Sequence, residues 1–430
     1  MSLPKNSVEP IYVIDGVRTP FMRAKGPRGP WSAADLGVYA ARALFMKSVI
    51  PPQAVDQVIA ACVNPSEDEA NIARIMGLRL GCGIDVPGYT VARNCGAGLQ
   101  AIDNAIQSLQ LGLSDCSLVI GTEVMSRAPL ICPPLVADWL SAGAACKTTW
   151  QKMKWLSQIP LRSLSPIISL KQGLTDPTNG LIMGKTAQEI AYHFDIAREE
   201  MDRFAVASHQ KAHYAWENNQ MTEVIPLITD KGTIIRDDGI RADNSLQKLA
   251  QLKPVFEPYG SITAGNSSQI TDGAGCLLLA TESFIKKYQI QPMGIIRSVR
   301  WTGCDPKMMG LGPVQAMSRI LIENQLHFED IDLIEINEAF AAQVLGVMKS
   351  FSDPVLGAQY CGIDDRFGPF PEEKLNIWGG AIALGHPIAA SGIRLVLRAL
   401  NGLRSQGKKR ALVSLCIGGG QGGAALVESV

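Results

Sequence analysis

The stretch GAGLQAIDNAIQSLQLG (96–112), followed by SLVIG (117–121), decides the fold because it has a counterpart in ASGIRLVLRALNGL (390–403) and ALVSL (411–415). Each copy opens on small residues, continues with apolar residues at i, i+3, i+4 and i+7, and leads to a short apolar run. The flanking segments repeat as well. DLGVYAARALFMKS (35–48) precedes AVDQVIAACV (54–63), just as GPVQAMSRILIENQ (312–325) precedes DIDLIEINEA (330–339). DGAGCLLLATES (272–283) pairs with QGGAALVESV (421–430). The order is the same in both halves, but the spacing is not. A Gly-rich turn (417–423) joins the last two strands of the second half, whereas residues 122–271 separate their counterparts in the first. SLVIG and CLLLA are apolar on both faces, as central strands covered by helices must be. The chain therefore reads as an α/β protein built from a duplicated unit. The expected units are 1–121 plus 272–292, a loop domain at 122–271, and 293–430.

The bulk properties narrow the function. At 430 residues the chain exceeds the roughly 250–300 that one core supports. Hydrophobic residues make up 47 % and charged residues 19 %, which excludes disorder or coiled coil as the overall state. Forty Lys+Arg balance forty Asp+Glu, so no global field favours nucleic acid. MSLPKNSVEPIYVID lacks the apolar core of a secretory signal, and no apolar run approaches the roughly 18–20 residues of a membrane span. A soluble, cytoplasmic protein is expected. Ten cysteines form no CxxC pair, so no zinc or other metal site is expected, and most of them should be buried.

Four segments carry chemistry. Cys95, in RNCGAGLQA, immediately precedes a helix start, where backbone N–H groups and the helix dipole favour thiolate. His386, in GGAIALGHPIAASG, is the one histidine in a glycine-rich, charge-free segment, and could take a proton from a thiol. His193, His209, His213 and His327 lie in charged helical contexts and read as surface residues. Cys416 opens CIGGGQGG just after a strand, where glycine N–H groups could serve an oxyanion. Asn337 ends the strand LIEI, at the carboxyl end where α/β sheets bind ligands. A pseudo-twofold implied by the repeat would bring the helix starts at Cys95 and after His386 together.

The excursion has its own texture. Residues 183–219 read as two amphipathic helices. Residues 139–171 hold Trp139, Trp150, Trp155, Lys147, Lys152, Lys154, Arg162 and Lys171 without an acid, broken by Pro160 and Pro166 into a hairpin. This segment suits either a loop over the active-site mouth or a surface for an anionic membrane or an enzyme partner.

With these motifs in hand, the chain resembles the thiolase family along nearly its whole length. RNCGAGLQA, NEAF, GGAIALGHPIAASG and CIGGGQGG match that family's catalytic motifs in order, and VRTPF (17–21), GTEVMSRAP (121–129), MGKTA (183–187), AGNSSQITDGA (264–274) and LGPV (311–314) match others. The resemblance implies thiolase-type βαβαβαββ halves in an α-β-α-β-α layering. It implies CoA-dependent carbon–carbon cleavage or condensation, with coenzyme A as substrate and no cofactor. Cys95 would be acylated, His386 would be its base, and Cys416 would act on the acetyl-CoA α-carbon. Asn337 (through a water) and His386 would form one oxyanion hole, and the N–H groups of Cys95 and Gly418 the other. Ser268, Met183, Met309 and Phe340 match pantetheine contacts, and Arg241 a position facing the nucleotide. A homodimer or dimer of dimers is implied. The 139–175 insertion resembles β-subunits of trifunctional fatty-acid-oxidation complexes, which implies a hydratase–dehydrogenase partner. Those subunits usually carry histidine at the position of Asn337, so the subfamily features are mixed. The leading expectation is an acetyl-CoA C-acyltransferase of fatty-acid β-oxidation. The alternatives are an acetoacetyl-CoA thiolase running toward condensation and a non-catalytic thiolase-like scaffold.

Overall fold

In the computed structural model, which describes residues 9–160, 164–230 and 232–430, the first half runs β1 (Ile11–Arg18), α1 (Ala33–Lys47), β2 (Gln57–Ala61), α2 (Ile72–Leu80), β3 (Gly88–Val91), α3 (Ala97–Gln110) and β4 (Cys116–Val124). An excursion carrying α4 (Pro134–Ala144), α5 (Thr149–Ser157), α6 (Met183–His193) and α7 (Arg198–Glu217) precedes β5 (Thr271–Ala280). The second half follows with β6 (Gly294–Gly303), α8 (Gly312–Asn324), β7 (Leu333–Ile336), α9 (Ala341–Ser352), α10 (Ile388–Gln406), β8 (Arg410–Ile417) and β9 (Gln421–Glu428).

Sheet order makes the duplication explicit. The first half reads β1-β5-β4-β2-β3 and the second β6-β9-β8-β7, with a parallel bridge between Ile334 and Leu375 where β3 has its counterpart. In each half the last strand is antiparallel to both of its neighbours, while β4-β2-β3 and β8-β7 are parallel. Three residues of β1 pair with β6, Ile11 opposite Ile296, and join the two sheets edge to edge.

The layering follows from which faces are apolar. One core cluster packs α1 and α2 against the first sheet, another packs α8 and α9 against the second, and a third holds α3 and α10 between strands of both. Accordingly α10 is buried on every side from Ala389 to Leu400. Glycine lets the two central helices approach this closely: a Cβ on Gly98 would stand 2.4 Å from the Ala389 carbonyl oxygen, and one on Gly392 2.4 Å from the Leu99 nitrogen. The two helix starts do meet, as the repeat requires.

Three expectations need correction. β4 continues to Val124 and β5 begins at Thr271, so the excursion proper is 125–270, because both strands extend to complete their pairing. His209 is buried rather than on the surface, since α7 packs against the second half; its ring accepts the Arg241 backbone N–H at 3.1 Å, and burial lowers its pKa to about 4. Cys416 lies inside β8, fully buried, rather than after it. Six of the ten cysteines are buried, as expected of small apolar side chains. No helix among the described residues is long and apolar enough to cross a membrane.

Candidate active site

Cys95 sits in a tight turn. Asn94 adopts a left-handed conformation (φ 43°), which allows the Ala97 N–H to bond back to the Asn94 carbonyl and α3 to begin. The Asn94 side chain donates to the Gly418 carbonyl at 2.9 Å, tying this turn to the glycine turn after β8. Gly419 and Gly420 there have φ of +92° and +77°, which only glycine adopts freely. The thiol does not behave as the helix start alone suggests. Burial pushes it up to about 11, opposed by the backbone N–H groups of Gly418 and Cys95 itself. Desolvation outweighs the helix dipole. At pH 7 such a thiol is only about one part in 10⁴ ionised.

His386 stands just before α10, whose start meets the start of α3. Gly385 (φ +104°) turns the chain where a Cβ would strike Thr271, and the His386 N–H donates to Thr271 Oγ1 at 3.1 Å. Nδ1 lies 2.6 Å from Ser391 Oγ, whose hydroxyl donates to the Pro387 carbonyl at 3.0 Å. That assignment makes Nδ1–H the donor and leaves Nε2 bare as the proton acceptor. Burial, with a further push from Arg394, lowers the imidazole to about 3, so it is neutral at physiological pH.

Asn337 follows β7 directly and is fully buried. Arg394 donates to its Oδ1 at 3.0 Å, which fixes the amide so that Nδ2 faces the His386 ring, 3.5 Å from both ring nitrogens. Arg394 is itself balanced by Glu335 at 3.2 Å. Cys416 is close enough to feel Cys95: burial, then the Cys95 charge, raise its thiol well above the ordinary value. The two thiols therefore titrate as a pair, and the second proton is held while the first is lost.

Residues at the pantetheine positions converge partly. A Cβ on Gly418 would lie 3.2 Å from Met183 Sδ. Ser268 N–H donates to the Ala339 carbonyl at 2.9 Å, and Ser267 bridges to Phe340, whose ring meets Phe256 edge-on at 6.1 Å. Met309 packs in the buried turn before α8, in one core cluster with Phe340 and Cys416. Arg241 is exposed, two residues past Gly239, which abuts Ala383 of the histidine segment.

Several buried polar residues around these groups carry little local signal in the sequence. Arg394 and Ser391 were passed over because α10 reads as an amphipathic helix; the usable signal was two arginines, 394 and 398, four apart on its otherwise apolar side. Glu338, inside NEAF, accepts from Ser208 Oγ at 2.6 Å, Asn376 Nδ2 at 2.8 Å and the Ile382 N–H at 3.1 Å, linking the asparagine and histidine segments. In the insertion, Trp139 and Trp155 stack at 4.3 Å, each indole N–H donating to the other's backbone carbonyl. Only Trp150 of the three is left open, 74 % exposed. Arg162 lies outside the described residues.

Two interacting thiols and a buried neutral histidine next to facing helix starts, inside a duplicated layered fold, are the chemistry an acyl-transferring enzyme of the thiolase type needs. The thiolase N-terminal domain matches residues 11–283 and the thiolase C-terminal domain residues 290–429. Human mitochondrial 3-ketoacyl-CoA thiolase is 36 % identical over 425 residues, covering 97 % of this chain and 98 % of that protein. The mitochondrial trifunctional enzyme β-subunit of Bos taurus is 34 % identical, covering 100 % and 90 %. The crystal structure of the human 3-ketoacyl-CoA thiolase in complex with CoA superposes with a TM-score of 0.86 at 34 % identity, covering 98 % of each chain. The chain belongs to the thiolase family and is an acyltransferase.

Proposed function

We propose that the enzyme cleaves 3-oxoacyl-CoA with free CoA, giving acetyl-CoA and a shortened acyl-CoA, in cytoplasmic fatty-acid β-oxidation. The observation that carries this reading is the pair of separate donor sets around one thiol couple: the amides of Cys95 and Gly418 on one side, Asn337 Nδ2 with His386 on the other. In this reading His386 Nε2 takes the Cys95 proton as Sγ adds to the 3-oxo carbon. The C2–C3 bond breaks and leaves the acyl group on Cys95. The acetyl-CoA enolate, its oxygen held by Asn337 and His386, takes a proton from Cys416. CoA then gives its thiol proton to the Cys416 thiolate and adds to the acyl-Cys95 carbonyl, whose oxygen rests on the Cys95 and Gly418 amides; the carbon–Sγ bond breaks, the shortened acyl-CoA leaves, and Cys95 recovers its proton from His386. Two oxyanion sites serve two half-reactions, each donor contributing about 10²–10³-fold. Met183, Ser268, Met309 and Phe340 would line the pantetheine path, and Arg241 would meet the nucleotide end. CoA is a substrate here, not a resident cofactor.

The test is thiolysis of a panel of 3-oxoacyl-CoAs, followed by loss of their thioester absorbance. Turnover of medium or long chains at or above that of acetoacetyl-CoA is expected. Turnover of acetoacetyl-CoA alone would replace this with a condensing role, and none at all would leave a scaffold.

The insertion supports a second role, peripheral contact with an anionic membrane. Leu135, Leu140, Met153, Leu156 and Trp150 are exposed on the α4–α5 hairpin beside Lys147, Lys152 and Lys154. With two tryptophans turned inward, the cations carry more of the contact, at about 1 kcal/mol each near the surface. Lys147→Ala, Lys152→Ala and Lys154→Ala together should lower co-sedimentation with anionic vesicles by roughly 10²-fold in affinity at low salt. Equal pelleting of both proteins would leave the hairpin as a mouth-covering element. A homodimer, and a hydratase–dehydrogenase partner like that of the trifunctional relatives, fit the same reading.

A further inference from the structure

Glu123 is fully buried in β4, two residues past Gly121 and so on the same face of the strand. That face meets the helix starts: a Cβ on Gly121 would stand 2.4 Å from the same Ala389 carbonyl oxygen that limits Gly98. The carboxylate accepts the Asn64 N–H at 2.9 Å and the Val63 N–H at 3.1 Å, and the Ala389 amide of α10 also faces it. Across the sheet its partner is Gly273, where a Cβ would touch Pro387, the residue after His386. One side chain thus braces the loop after β2 and the start of the histidine helix, with the Cys95 turn within electrostatic reach.

We propose that Glu123 is a positioning residue, bracing the loop after β2 against the start of the histidine helix, and that its charge adds to burial in holding the Cys95 proton until His386 takes it. A carboxylate beside a thiol disfavours the thiolate, the sign found here. The titratable groups facing Glu123 are Cys62, whose Sγ lies 3.9 Å away, Cys95, and Asp272 on β5; Glu69 stands behind Cys62. Burial raises the Glu123 carboxyl to about 7, so this brace is part-neutral in mildly acidic solution. None of the thiolysis steps above assigns it a role. The inference rests on Cys95 being the nucleophile.

The test uses the full chain and two variants. Glu123→Gln keeps an acceptor oxygen and removes the charge; the pH midpoint of Cys95 alkylation by iodoacetamide, read by mass spectrometry on the Cys95 peptide, should fall by roughly half a unit or more. Glu123→Asp keeps the charge but shortens the reach; kcat should fall roughly tenfold to a hundredfold with KM within threefold, while the alkylation midpoint stays within half that shift of wild type. A Glu123→Gln midpoint at or above wild type overturns the proposal. So does a Glu123→Asp kcat within threefold of wild type, and this arm decides alone where Glu123→Gln does not fold. Alkylation needs no substrate, so its failure is separable from failure of the thiolysis reading, which would show as acyl label absent from Cys95.

Discussion

Cys95→Ser is expected to lose at least about 10³-fold in kcat while the fold and CoA binding persist. The cause is acidity and softness. The native thiol, at about 11, is already a reluctant donor, and His386 must draw its proton as attack proceeds. A serine hydroxyl in the same desolvated turn ionises several units higher, so the same neutral imidazole has far less driving force. Brief exposure of the wild type to acyl-CoA without acceptor should place the acyl group on the Cys95 peptide, and the variant should take up none on that timescale. An acyl group found on Cys416 instead would reverse the two roles. The pH profile has a defined sign. The buried imidazole is lowered to about 3, so base function survives mild acid, and kcat/KM should rise toward alkaline pH as less work is needed to ionise Cys95.

Cys416→Ala should separate the two half-reactions. Acylation of Cys95 by a simple acyl-CoA should survive, whereas exchange of acetyl-CoA α-protons with deuterium should collapse by about 10²–10⁴-fold, the usual worth of a positioned acid–base group. The structure sharpens this. Cys416 is buried within β8 and is raised by burial and by the Cys95 charge, so its proton stays in place until the α-carbon needs it. Equal loss in both half-reactions would mean that Cys416 has no step of its own.

The legible part of this protein lay in periodicity and in rare residues in unusual settings. The helix patterns at 96–112 and 390–403 announced α3 and α10, and the apolar runs announced β4, β5, β8 and β9 within a few residues. Pro160 and Pro166 point to a hairpin broken at those prolines, yet the turn between α4 and α5 falls at 145–148, before either of them, and the pairing of Trp139 with Trp155 has no local signal, because local composition does not reveal which faces of two short helices meet. His209 was misplaced for the same reason: charged neighbours on one helix describe that helix, not the domain it packs against.

The chain alone thus determined the duplication and the order of elements, and it singled out Cys95, Asn337, His386 and Cys416 as candidates, since each depends on spacing or on a residue type standing in an atypical segment. Tertiary structure decided their electrostatics. Whether a helix start activates Cys95 depends on how much water the opposite half leaves at the thiol, and burial there outweighs the dipole. It also decided the supporting contacts: Arg394 of α10 on Glu335 and Asn337, Ser391 of α10 on His386, Glu338 on Asn376 and the Ile382 amide, and Glu123 of β4 on the loop after β2. Contacts between segments so distant in sequence carry no local signal, because a buried charge is recognisable only once its partner and its loss of solvent are known.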